Sequence, residues 1–121
     1  MQDPVTDDRD TVDASFELAD LAARQAKGTR PYLPFFENRT LSMGLYVLKA
    51  GEKDLQTPHE QDEVYVVDKG KAVLRVEDRD HPVGPGSVVF VRARAAHHFH
   101  SIDDDLSVVV LFSKAMPGSA P

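Results

Sequence analysis

Residues 51–70 read GEKDLQTPHEQDEVYVVDKG, and the fold turns on how this stretch is taken. Its second half, DEVYVV, is dense in β-branched and aromatic residues and stops at Asp68, Lys69 and Gly70, a turn composition, so the spacing predicts a short strand over 63–67. Side chains along a strand alternate between its two faces, which puts Glu63, Tyr65 and Val67 on one side. If Glu63 faces the interior, Tyr65 and Val67 face it too. An interior carboxylate must be protonated, hydrogen-bonded or bound to a cation, because burying it unpaired is costly. His59 stands four residues upstream of it.

Outward from this stretch the same texture continues. Strands are expected at 41–49, 63–67, 72–77, 88–91, 97–101 and 106–113, separated by turns at 50–51, 68–70, 82–86 and 103–105. Short strands with no helix between them argue against a parallel sheet with helical crossovers and for an all-β antiparallel sandwich or barrel spanning 40–113. Upstream, residues 13–27 form the one helical stretch, with Phe16, Leu18, Leu21, Ala22 and Ala26 as its apolar positions. Asp13 or Ser15 caps its start, Arg24 and Lys27 sit in its last turn, and Gly28 is expected as a left-handed stop. Such a short amphipathic helix needs an apolar surface to cover, here the outside of the sheet. Pro31 and Pro34 keep the following segment extended.

The 121 residues suit one domain, set at 13–114 between an acidic, disordered tail (1–12) and a flexible end (115–121). Hydrophobic residues at 41% and charged residues at 28% place the chain in the globular class. No run approaches ~20 apolar residues and the first 28 lack a secretory pattern, so neither a membrane nor export is expected and the cytoplasm is the default. The net charge of -6, much of it in the tail, excludes a polyanion-binding surface, and no nucleic-acid partner is expected. With no cysteine, any metal must be held by nitrogen and oxygen.

All five histidines lie in the β portion, at 59, 81, 97, 98 and 100. In the second cluster His97 shares a face with Phe99, while His98 and His100 point the other way. Phe99 most needs burial, so His97 goes inward with it. His59, Glu63 and His97 then supply two imidazoles and a carboxylate, a donor set suited to iron(II), manganese or zinc with open positions. The same residues also admit an ordinary reading: a loop histidine, a salt-bridged strand end and a satisfied edge histidine. Met43 and Phe90 are further core candidates, Arg92 and Arg94 read as a solvated loop, and His81 as an exposed turn residue.

Gly51, His59, Glu63 and Gly70 stand at the intervals of the first motif of the cupin superfamily, which the chain resembles there. Pro85-Gly86 with Val88-Val89-Phe90-Val91, followed by His97-His98-Phe99, resembles the second motif. Two departures stand out: Thr57 occupies the place of the first motif histidine, and Arg92-Ala93-Arg94 replaces the usual turn before the last one. The resemblance covers roughly residues 41–113. It implies a jelly-roll barrel, or double-stranded β-helix, preceded here by one N-terminal α-helix, and a divalent metal ion (iron, manganese or zinc, with nickel a further option) held by His59, Glu63 and His97. Tyr65 and Thr57 are the candidate catalytic residues beside it: a threonine hydroxyl is a poor ligand but can hydrogen-bond a bound molecule, and Gln56 can swing in through its amide oxygen. The function implied is that of a metal-dependent enzyme on a small organic molecule, dioxygenase chemistry first and isomerase or epimerase chemistry next. The alternative is a noncatalytic small-molecule-binding module with a degenerate site. A homodimer is expected, covering an open strand edge or the Phe35-Phe36 segment.

Overall fold

The computed structural model describes residues 13–114; both end segments set apart above lie outside the described residues. Helix α1 (Leu18–Lys27) precedes six strands: β1 (Tyr32–Glu37), β2 (Leu41–Leu48), β3 (Glu63–Val76), β4 (Arg79–Val83), β5 (Val88–Val91) and β6 (His97–Ser113). All pairings are antiparallel. They run in the order β1-β2-β6-β3-β4, with β5 on the same edge of β3 as β4, away from β6.

Two long strands form the spine. β3 and β6 pair from Glu63 opposite Phe112 to Val76 opposite His97, with register shifts between Val67 and Val73. The turns expected at 68–70 and 103–105 are therefore bulged bends inside continuous strands, because polar, glycine-containing segments can kink a ladder without ending it. Gly70 marks the bend: its φ is +95°, and a Cβ there would lie 2.4 Å from the Asp105 carbonyl oxygen. Before the bend β3 pairs with β5 and after it with β4, so the spine rolls round a core of Tyr65, Val67, Leu74, Phe99, Leu106, Val108 and Val110. This is an all-β jelly roll with one helix.

Several local expectations are corrected. The helix starts at Leu18 rather than residue 13, its N-cap is Glu17 with no side-chain cap, and Gly28 is extended (φ -88°) instead of left-handed. Arg24 and Lys27 do occupy the last turn, and Leu21 is buried against β1 and β2. The extended course expected at Pro31 and Pro34 holds, and from Tyr32 the segment is strand β1, an edge where proline removes no needed donor. Residues 82–83, expected in a turn, belong to β4, which carries a half-buried His81. Phe90 is not in the core: it is 62% exposed on the outer face of β5, because Val91 takes the inward position. Phe35 and Phe36 are covered by Phe16, whose ring meets theirs edge-on at 4.9 and 6.2 Å.

Candidate metal centre

The parity of β3 turns Glu63 into the roll, where it is 1% exposed, and the parity of β6 brings in His97, 4% exposed, beside Phe99. The His97 Nδ1–H donates to the Ala95 carbonyl at 2.8 Å. A carbonyl can only accept, so in the neutral ring the proton is on Nδ1 and the Nε2 lone pair is bare. Nε2 lies 2.8 Å from Glu63 Oε1, yet neither atom, nor Oε2, has a hydrogen-bonding partner. Two lone pairs facing each other in a dry interior need a positive charge between them, either a proton or a cation. Burial of His97 disfavours its charged form, but the Glu63 carboxylate and the Ala95 carbonyl outweigh that and raise its pKa above the ordinary histidine value.

His59 completes the group. Its Nε2 is 4.0 Å from Glu63 Oε1, and one donor atom from each of His59, Glu63 and His97 falls within 4.8 Å of the others. His59 comes from the long connection between β2 and β3, not from a strand, so its position depends on how that connection is fastened. The Arg94 amide donates to the His59 carbonyl, the Ala93 amide to Asp62 Oδ1 at 2.8 Å, and Arg94 pairs with Glu60 at 3.0 Å. These bonds tie the connection to the turn before β6, so His59 and His97 are held by one structure. Phe112 fixes the His59 ring from the side, edge-on at 5.1 Å.

A metal fits these residues: the buried polar atoms without partners are those of the expected donor set, and the second nitrogen of His97 is already engaged by a carbonyl, the arrangement that orients a ligating imidazole. Among the described residues no other group of three such side chains converges in this way.

His59 and Glu63 line a cavity of about 500 Å³. Tyr32, Tyr46, Tyr65, Phe36 and Phe112 give it an aromatic wall, and none of its lining residues is lysine or arginine. Tyr65 is buried among them, whereas Thr57 is exposed and does not line the cavity. The connection is not a regular strand at this point, so alternation from His59 does not carry Thr57 inward; its neighbour Gln56 lines the wall instead.

Sequence reasoning missed one member of the site. Asp54, 8% exposed, accepts hydrogen bonds from Tyr46 Oη (2.6 Å), Gln56 Nε2 (2.6 Å) and the Phe99 amide (2.8 Å). Nothing in the charged segment Glu52-Lys53-Asp54 marks this aspartate as different from a surface one. Tyr65 donates to Gln56 Oε1 at 3.1 Å. Burial first, and then the nearby Glu63 charge, push the Tyr65 phenol far above its ordinary pKa, so it stays a donor.

Comparison with known proteins agrees with this architecture. The cupin domain family model matches residues 44–113. An uncharacterized protein of Streptomyces coelicolor is 48% identical over 99 residues, covering 82% of this chain and 94% of its own. The crystal structure of an RmlC-like cupin family protein with a double-stranded β-helix fold, from Methanocaldococcus jannaschii, superposes with a TM-score of 0.64 at 20% identity, covering 71% of this chain and 81% of that one. The DMSP lyase of Ruegeria pomeroyi superposes with a TM-score of 0.62 at 20% identity, covering 74% of this chain and 50% of that one. With two long bulged strands rolling round a buried carboxylate and histidine, and a family model matching more than half its length, this chain belongs to the cupin family.

Proposed function

We propose that this protein is a cytoplasmic, metal-dependent cupin enzyme acting on a small, uncharged organic molecule, with dioxygenase chemistry as the first choice and isomerisation as the next. The observation that carries the reading is the bare Glu63 and His97 atom pair, whose Glu63 member lines an aromatic cavity. His59, Glu63 and His97 would hold iron, manganese or zinc, and the ion when bound supplies polarisation of a substrate oxygen or activation of dioxygen. The cavity volume is in the range of small-molecule sites. Its wall offers no cationic side chain to neutralise a phosphate or sulfonate, which is why an uncharged molecule is preferred. Tyr32, Tyr46 and Phe112 keep water from the apolar body of the substrate, and the Tyr65 hydroxyl and Gln56 amide address its polar end. Thr57 has no part in this arrangement.

Metal analysis of protein purified without chelator or a nickel column tests the first half of the reading. Near-stoichiometric iron, manganese or zinc, lost in His59→Ala and His97→Ala, supports it, and metal-free protein of unchanged fold favours the noncatalytic binding module. The iron(II)-loaded protein in an oxygen electrode with a panel of small uncharged phenols and enols tests the second. Oxygen uptake absent from Glu63→Ala supports the dioxygenase, and binding without uptake or isomerisation supports the module. We also place a second copy of the chain on the outer face of β5, where Val88 and Phe90 are exposed on an edge strand.

A further inference from the structure

The bareness of the Glu63 carboxylate needs an explanation of its own, because a phenol proton is available next to it. Tyr65 lies two residues along the same strand face, and its ring is 6.0 Å from that of His97. A phenol carries one proton. If Tyr65 gave it to Glu63, the carboxylate would be satisfied within the protein and a cation would have to compete with a charge-assisted hydrogen bond. In the structure the proton goes to Gln56 Oε1 instead. Gln56 can accept only because its amide is held one way round: Nε2 points at Asp54 Oδ2, 2.6 Å away, which an amide flipped by half a turn could not satisfy. Asp54 is fixed in turn by the Tyr46 hydroxyl and the Phe99 amide, so the relay is anchored in the backbone of the strand that carries His97.

We infer that Asp54 and Gln56 are positioning residues that draw the Tyr65 proton away from Glu63 and so keep both carboxylate oxygens free for a cation. Asp54 acts as the anchor, Gln56 as the oriented acceptor, and Tyr65 as the group whose direction is set. The inference rests on the metal reading of the site, but its structural half does not require the metal.

The test is a two-step cycle read by equilibrium binding of manganese(II) to the full chain, followed by electron paramagnetic resonance. Gln56→Leu removes the acceptor, the Tyr65 proton turns to Glu63, and affinity falls roughly 10-fold or more, the usual effect of disturbing the groups that orient ligands. Tyr65→Phe alone leaves affinity near that of the wild type, and Gln56→Leu with Tyr65→Phe restores most of the loss, because no proton remains to compete. Loss through damage to the fold would not be repaired by a second truncation. Unchanged affinity in Gln56→Leu, or a double variant as weak as the single one, overturns the inference. If the wild type takes up no divalent cation, the metal reading fails by itself, and a crystal structure of metal-free Gln56→Leu still decides the point. A Tyr65 hydroxyl within hydrogen-bonding distance of Glu63 supports the inference, and one that remains clear of Glu63 overturns it.

Discussion

Glu63 stands at the point where chain parity and chemistry meet. Its burial and the 2.8 Å approach of its carboxylate to His97 Nε2 mean that the pair is satisfied only with a proton or a cation between them. At a pH above the raised His97 pKa, where no proton bridges the pair, Glu63→Gln replaces a repulsive contact with an amide that can donate to His97 Nε2, and the metal-free variant is expected to gain about 1 kcal/mol in urea unfolding. Conversely, a divalent ion at about 100 times its Kd is expected to stabilise the wild type by about 2.7 kcal/mol, a rise of roughly 10 °C in Tm, and to leave Glu63→Gln nearly unmoved. A loss of stability in the metal-free variant would contradict the first expectation. The three tyrosines give a pH dependence. Burial raises all three phenols, Tyr32 to about 12 and Tyr46 and Tyr65 further, with the Asp54 hydrogen bond adding to Tyr46 and the Glu63 charge to Tyr65. A pKa raised on folding gives stability that is complete below the free phenol value near 10 and is lost as pH rises toward the folded value. Ultraviolet titration should therefore show little tyrosinate at pH 10 in the folded protein, then a joint rise as alkali unfolds it; half-ionisation at pH 10 with the fold intact would refute this.

Among the elements, β3 and β6 explain both the readable and the unreadable parts of the fold. The shared faces of Glu63, Tyr65, Val67 and of His97, Phe99 followed from alternation, and the structure buries all five. What alternation could not show is that the breaks between these runs are bends rather than ends, because continuity of a ladder depends on the partner strand. Gly70 is where that difference is testable. Gly70→Ala forces a positive φ on a residue with a Cβ and pushes that carbon against the Asp105 carbonyl, so a loss of about 2–4 kcal/mol is expected in chemical denaturation. The connection that carries Asp54, Gln56 and His59 was the least legible part. It has no periodic pattern, and its shape is imposed by bonds to the β5–β6 turn and to β6 that lie far away in sequence.

At the scale of the described residues, the roll has an inside that chemistry can use and an outside with an apolar edge at β5. Helix α1 covers the sheet at β1 and β2, and Phe16 shields Phe35 and Phe36, but β5 keeps Val88 and Phe90 exposed. If a second copy covers that edge, sedimentation velocity should show a dimer at micromolar concentration, and Phe90→Glu should shift it to monomer without changing metal content. A monomeric wild type would rule the edge out as a self-interface.

The sequence by itself determined the all-β architecture, which residues share a strand face with Glu63 and with His97, and the nitrogen-and-oxygen character of any metal site. These follow from side-chain alternation and composition, which are local properties. Only the tertiary structure decided that Gln56, not Thr57, faces the cavity, that Asp54 is a buried anchor, and that Phe90 looks outward. Each of these depends on which distant backbone and side-chain groups supply hydrogen bonds or cover, and that is settled when the strands close on one another.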